Sequence, residues 1–491
     1  MKFLVYNNGK VAEGFEPHGA YMFGADGMAV RKAQISFSDG LLVCYKPTQE
    51  TAGIALLWPV EGVGRILVPT TCLPEREQPY NLNLEIARGR LMQTIIKRED
   101  WSIFEDTDEL AALYTGAQDS FIKAIQNVSD GPVAAQLADK SLQNAVAFSE
   151  GMAARHAKTF FALRGKNRGF GRGCLGCWID PEQVNNPAYV EQLAGVFGLA
   201  MVPVNWGQIE QTRAKYDFSK TDACVSILAK RKLAIGAGPL ICFDERYLPK
   251  WLIDSKASFE KIRECAYEFA SAAAARYTGM VRTWTVVSGL NALNCFGFGF
   301  EQVLEITRAA NMAVKAAAER AMRIIDVSNP WGEYYGERPD TLPPVVYMDM
   351  VIQSGINFDA FGLQMRFGRD ESGLHIRDML QISSLLDSFA PISRPIYITA
   401  VEVPGKSDSG PSAAEVAGFW HKPWDKNTQA EWLDQFYRIS LSRPFIDGVI
   451  YAGLTDNKDG VIADSGLMTA ELEPKESYLT LKRFHDRIFG R

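Results

Sequence analysis

From about residue 172 onward the chain repeats one pattern. A short apolar run is followed by a Gly- or Pro-marked break and then by a stretch of helical period. The runs fall at Leu175 to Ile179, Ala200 to Asn205, Ala234 to Phe243 and Thr283 to Ser288. Four more follow at Arg323 to Val327, Asp359 to Gln364, Ile396 to Val403 and Gly448 to Leu454. They are rich in Val, Ile, Leu and Ala, as strands buried on both faces are. Stretches such as Val303 to Arg323, with an Ala-rich interior, read as the helices between them. Parallel neighbours need such a crossover. Eight units over about 320 residues is the count for an α/β (β/α)8 TIM barrel, in which working side chains gather at the C-terminal strand ends.

The remaining length of this 491-residue chain divides in two. Residues 1 to 88 hold short β-branched and aromatic runs between Gly, Asp and Pro turns. These are Phe3 to Tyr6, Leu41 to Tyr45, Ile54 to Trp58, Arg65 to Pro69 and Asn81 to Ile86. Their spacing predicts a small β-sandwich or jelly-roll domain. Residues 89 to 171 read as a helical connector, with one helix opened by Asp106-Thr-Asp-Glu109 and another, reset by Gly131-Pro132, ending near Leu163. The basic, Gly-rich run Arg164 to Gly173 lacks the G-K-[ST] ending of a phosphate loop and is expected to be a linker turn before the barrel at 172–491.

Charge and composition narrow the partners. Lys+Arg 52 against Asp+Glu 58 leaves −6, so no electrostatic footprint for nucleic acid or an anionic membrane is present. No uncharged apolar run reaches the roughly 18 residues of a membrane span. The N-terminal Met1-Lys-Phe-Leu-Val-Tyr-Asn-Asn turns polar too soon for a signal-peptide core and reads as a first strand. A cytoplasmic location is therefore expected, although a chain with its leader trimmed would look the same. Cys174 and Cys177 form a lone C-x-x-C without a second pair or a nearby His. On a strand they face opposite sides, so core thiols are expected rather than zinc or redox chemistry. No two of the five histidines are three or four residues apart, and no metal or cofactor is expected.

Several strand ends resemble family 10 glycoside hydrolases, the xylanase family. Pro203-Val-Asn-Trp-Gly-Gln stands where that family has P-E-N-E-M-K. Gly238-Pro-Leu, with Leu248-Pro-Lys-Trp-Leu252 downstream, resembles G-H-x-L-V-W-H and P-x-W. Trp284-Thr-Val-Val-Ser-Gly resembles W-D-V-V-N-E, and Asp359-Ala-Phe-Gly-Leu-Gln resembles D-G-I-G-L-Q. Ile396-Tyr-Ile-Thr-Ala-Val-Glu resembles I-Y-I-T-E-L-D, and Ala452-Gly-Leu-Thr-Asp resembles W-G-x-x-D. Gly466-Leu through Pro474-Lys475 resembles the closing G-L-L and P-K-P. These motifs run in the family's order over about residues 172 to 490.

The resemblance implies the scaffold and removes its chemistry. The family's acid/base glutamate falls on Gly289, the residue before it on Ser288, and the nucleophile on Ala400. Retaining hydrolysis needs two carboxyl groups about 5–5.5 Å apart, and neither Gly nor Ala supplies one. The family histidines after strand three fall near Gly238 and Phe243, its Trp there on Cys242, its strand-two Lys on Gln208 and its strand-eight Trp on Ala452. Asn205 and Gln364 survive.

Replacement carboxyl groups at strand ends are Glu402, on the same face as Ala400, Glu333 and Glu245, with Asp244, Asp326 and Asp456 nearby. Glu333 with Glu402 is the first alternative pair. Trp206, Trp331, Tyr334, Tyr335, Trp420, Trp424 and Tyr451 follow strands and are candidates to stack on sugar rings, or else to pack loops. Arg366 is read as an anion contact or as the partner of Glu402. The expected protein is a non-hydrolytic relative kept for carbohydrate binding or protein assembly, with a carbohydrate ligand, a homo-oligomer or a protein partner. The alternatives are an active hydrolase with relocated carboxylates and a purely structural oligomer-forming subunit.

Overall fold

The eight apolar runs pair in chain order, and the last returns to the first. In the computed structural model the closed barrel comprises Leu175–Trp178, Leu199–Pro203, Ala234–Gly238, Thr283–Ser288, Met322–Val327, Ala360–Arg366, Ile396–Glu402 and Ile446–Tyr451. They are barrel strands one to eight below. The structure describes residues 1–101, 107–406, 416–458 and 460–490. Gly176 lies opposite both Leu199 and Ile450, which closes the ring and leaves no sheet edge. Strand three stops at Gly238 instead of running to Phe243, because Pro239 has no N–H to give the ladder.

Two four-stranded sheets build the expected β domain, one of them completed by a strand from beyond barrel strand seven. One runs Gln34–Ser38, Leu41–Tyr45, Lys2–Leu4, Tyr80–Asn81, and the other runs Phe419–Trp420, Gly64–Pro69, Ala52–Val60, Tyr21–Gly24. Phe3, Leu42, Ile54, Leu56, Ile66 and Val68 are buried in their common core. The run Asn81 to Ile86 corrects one expectation. The strand ends at Asn81, whose side chain accepts from the Leu84 N–H (3.2 Å) and caps helix α1, Leu82–Asp100. The alternation of Leu82, Leu84 and Ile86 misleads because α1 is buried on several sides at once. It lies so close to strand Gly64–Pro69 that a Cβ at Gly89 would stand 2.4 Å from the Pro69 oxygen.

Helices α2 (Asp108–Gln126) and α3 (Gly131–Asn167) complete the connector, capped by Thr107 and Asp130. Asp106, expected to open α2, lies outside the described residues. Of the expected linker turn Arg164 to Gly173, the first residues to Asn167 are the last turn of α3, and residues 168–171 form the turn before the barrel. Buried Arg164 donates to the carbonyls of Leu441 (3.1 Å), Arg443 (2.7 Å) and Ile446 (2.8 Å), fastening the connector to the strand-eight end of the barrel. Arg90 of α1 pairs with Asp378, and both side chains are buried. No helix among the described residues is long and apolar enough to cross a membrane.

A loop follows barrel strand seven at the C-terminal strand ends. Residues 407–415 of it lie outside the described residues. Its end, Phe419–Trp420, leaves the barrel and pairs antiparallel with Gly64 and Arg65, adding an edge strand to the β domain. His421 follows, with Nδ1 3.1 Å from the Gly62 carbonyl and Nε2 2.8 Å from Glu150 Oε2. Both partners are acceptors, so both ring nitrogens donate, which only the imidazolium does. Burial opposes that charge, but the Glu150 carboxylate more than offsets it and the His421 pKa is raised. The stabilisation is complete below the unfolded value of about 6.5 and is lost as pH rises through the higher folded value. The urea midpoint should therefore fall as pH rises above about 6.5, and fall less in His421→Gln. Equal slopes in the two proteins would remove His421 from this role.

Candidate functional site

Four polar side chains converge inside the barrel at the ends of strands four to seven. Asp326 on strand five is 2% exposed. Ser288 Oγ donates to its Oδ2 at 2.6 Å, and Gln364 Nε2 donates to the same oxygen at 2.6 Å and to Ser288 Oγ at 2.8 Å. The Thr399 hydroxyl donates to Oδ1. The ladder explains the meeting: Ser288 lies opposite Asp326, and Asp326 opposite Gly362, two residues before Gln364. Thr399 joins because strand seven is bulged. Leu363 faces Ile398 and Gln364 faces Ala400, which leaves Thr399 as the extra residue. A Cβ at Gly362 would stand 2.4 Å from Asp326 Oδ1 and 2.6 Å from Thr399 Cγ2, so this contact requires glycine there. Burial pushes the Asp326 carboxyl up, against the pull of its three donors and the Arg366 charge.

The replacement carboxyl groups are engaged elsewhere. Glu402 ends strand seven opposite Arg366, with the Arg366 Nε 3.4 Å from Oε2 and Ser465 Oγ donating to Oε1 at 2.6 Å. Burial pushes its carboxyl up, and Arg366 opposes that. The expected Arg366–Glu402 pair is thus present. Glu333 follows the left-handed Gly332 and is 3% exposed. It forms an ion pair with buried Arg377 and accepts from the Gly373 N–H. The partners of Glu333 are thus Arg377 and Gly373, whereas those of Glu402 are Arg366 and Ser465. Glu245 is exposed on the one-turn helix Glu245–Tyr247, beside the Asp244–Arg246 pair (2.5 Å), and lines a cleft of about 460 Å³.

Most of the aromatic candidates pack. Trp206 is buried, stacks on Phe269 (5.1 Å between centroids) and donates to Glu210 Oε2 at 2.6 Å. Trp420 is buried and donates to Glu150 Oε1 at 2.8 Å, away from the barrel end. Tyr451 is fully buried and its hydroxyl donates to the Ser465 carbonyl. These three correct the sugar-stacking expectation: a ring closed on both faces offers none to a ligand. Trp331 is half-buried beneath the Arg377 guanidinium, 4.1 Å from its centroid. Asn205 caps helix Trp206–Ile209 by accepting from Gln208 N–H (3.2 Å) and donates to Arg246 O (3.2 Å), while Gln208 is exposed.

Gly289 and Ala400 are both buried at the strand ends. Gly289 has φ +67°, and a Cβ there would stand 2.4 Å from Ser328 Oγ and 2.9 Å from Leu293 Cδ1. Cys174 and Cys177 are buried free thiols, and burial pushes Cys174 up to about 12, as core thiols should behave. Among the described residues no group of three His, Cys, Asp or Glu side chains is placed to hold a metal.

The family model for glycosyl hydrolase family 10 matches residues 170–483, close to two-thirds of the chain and the whole barrel. The chain belongs to glycosyl hydrolase family 10. Solved structures show the same fold at low identity. Xylanase 10B from Thermotoga maritima is 18% identical, with a TM-score of 0.50, covering 69% of this chain and 99% of the xylanase. A family 10 endoxylanase from a sugarcane soil metagenome is 16% identical with a TM-score of 0.50, covering 67% and 99%. No curated protein matches the sequence significantly.

Within the family 10 barrel, Asp326 and Ser288 were visible as strand-end residues, but their union was not. Thr399 escaped notice because the bulge breaks the period-two count that a sequence offers.

Proposed function

We propose that this family 10 member does not hydrolyse glycosidic bonds and that its barrel is retained for carbohydrate binding or protein assembly. The observation that carries the reading is the backbone at Gly289, where the family pattern has its acid/base glutamate. A left-handed φ and a filled Cβ position leave no room for that side chain. Ala400, where the pattern has the nucleophile, supplies no carboxylate. A relocated pair would need one protonated and one ionised carboxyl group. Burial instead pushes both Glu402 and Asp326 toward the neutral form, and Glu333 is held by Arg377.

Exposed Ile122, Ile125, Val128 and Val133, around the turn from α2 to α3, support the assembly arm. Reducing-end release from xylan and other polysaccharides tests the reading: none above buffer is expected from the full chain. Turnover that disappears in Glu402→Gln would establish the relocated-carboxylate hydrolase instead. Solution size over a dilution series separates the two arms, because a strict monomer with glycan affinity would remove assembly.

A further inference from the structure

Outside the barrel the chain encloses a cleft of about 1110 Å³ between the β domain, α3 and the Phe419–Trp420 strand. One wall is a polar stripe of α3. Gln136, Asp139, Lys140 and Gln143 have the i, i+3, i+4, i+7 spacing that shares a helix face. The floor is Trp58, with the half-buried Phe15 ring against it at 5.8 Å between centroids.

The polar groups around Asp139 are held in place. Asp139 accepts from Asn83 Nδ2 at 3.0 and 3.1 Å and from the Trp58 side chain. Buried Asn83 also donates to Tyr6 O and accepts from Tyr6 N–H, each at 3.2 Å, which fixes the hairpin carrying Asn7 and Asn8 on the facing wall. A ligand would therefore meet a fixed wall at Asp139, while the exposed Asn7, Asn8 and Gln136 side chains would be ordered on binding.

The chemistry of the lining selects the ligand class. Asn7, Asn8 and Gln136 each present a carbonyl acceptor and two amide donors, and Gln143 offers its amide donors while its Oε1 accepts from Lys140 Nζ at 2.9 Å. Carboxylates at Glu16, Glu61 and Asp139 are set against Arg65, Lys140 and the His421 imidazolium, so neither sign dominates. An ionic ligand gains little from that balance, and an apolar one would strip water from amides without replacing their hydrogen bonds. Many hydroxyl groups, each donor and acceptor, on a body with apolar C–H faces for Phe15 and the Trp58 edge would meet both demands. The volume exceeds the roughly 300–1,000 Å³ that takes a drug-sized ligand, which leaves room for several sugar rings.

We propose that this cleft binds a neutral oligosaccharide. The proposal deepens the carbohydrate-binding arm of the reading above, and it stands whether or not the barrel end hydrolyses. The full chain is titrated calorimetrically with xylohexaose, cellohexaose and mannohexaose, and reducing ends are measured in the same samples. Saturable binding of at least one hexaose is expected. In Gln136→Ala/Gln143→Ala the affinity should fall about tenfold or more, with the thermal transition unchanged. Failure of all three to bind at millimolar concentration overturns the proposal, and so does unchanged affinity in the double variant. Release of reducing ends would count against the non-hydrolytic reading alone.

Discussion

Glu333→Ala should lower the unfolding free energy by about 3–5 kcal/mol, because it leaves a buried guanidinium without its carboxylate. Burial pulls Arg377 down to about 10, so it is still a cation at neutral pH. Its Nη1 donates to the His375 carbonyl at 3.2 Å and its guanidinium lies over Trp331, while the Asp378 carboxylate that also acts on it is paired with Arg90. The Gly373 N–H would lose its acceptor as well. Replacing the pair together, as Glu333→Met/Arg377→Leu, should cost much less, since an apolar pair of similar volume needs no compensation. Urea unfolding of the three proteins is the measurement. A Glu333→Ala protein as stable as the parent would mean that this carboxylate is free for other work and would return it to the list of catalytic candidates.

Gly289→Glu is the second large effect, and it bears on the barrel end directly. A side chain at φ +67° costs about 1–3 kcal/mol in backbone strain. A Cβ 2.4 Å from Ser328 Oγ adds overpacking of about 1–3 kcal/mol. Gly289 N–H also donates to the Asp326 carbonyl at 2.9 Å, so a shift to relieve the clash would disturb strand five. A total loss of about 2–6 kcal/mol is expected, and Gly289→Ala should show most of it, because φ and Cβ already set the cost. Adding Ala400→Glu should not produce turnover. A stable double variant that cleaves xylan would show that the backbone is still adapted to the family's chemistry and would overturn the argument from Gly289.

The barrel was legible because its strands are buried on both faces: an apolar run such as Thr283–Ser288 needs no partner to be recognised. Strand boundaries failed where a local rule overrode the run, as at Pro239, or where a helix was buried on several sides, as in α1. The site was less legible, for a physical reason. Whether Trp206 or Tyr451 can meet a sugar depends on Phe269 and Ser465, partners that only the fold brings near. Arg366 with Glu402 was readable, since both end adjacent strands at the same level. The Glu333–Arg377 pair was not, because Glu333 opens a short 3-10 helix and Arg377 lies in a loop, and no periodicity sets the path of either.

Whether the full chain breaks a glycosidic bond decides between a hydrolase and a barrel kept for binding or assembly. Xylohexaose incubated with the protein at high concentration and followed by mass spectrometry answers this most directly, since even a few turnovers yield shorter oligosaccharides. The expected result is intact hexaose, indistinguishable from buffer. Shorter products that form with the parent chain and vanish in Glu402→Gln would contradict the account and place an active carboxylate at the end of strand seven.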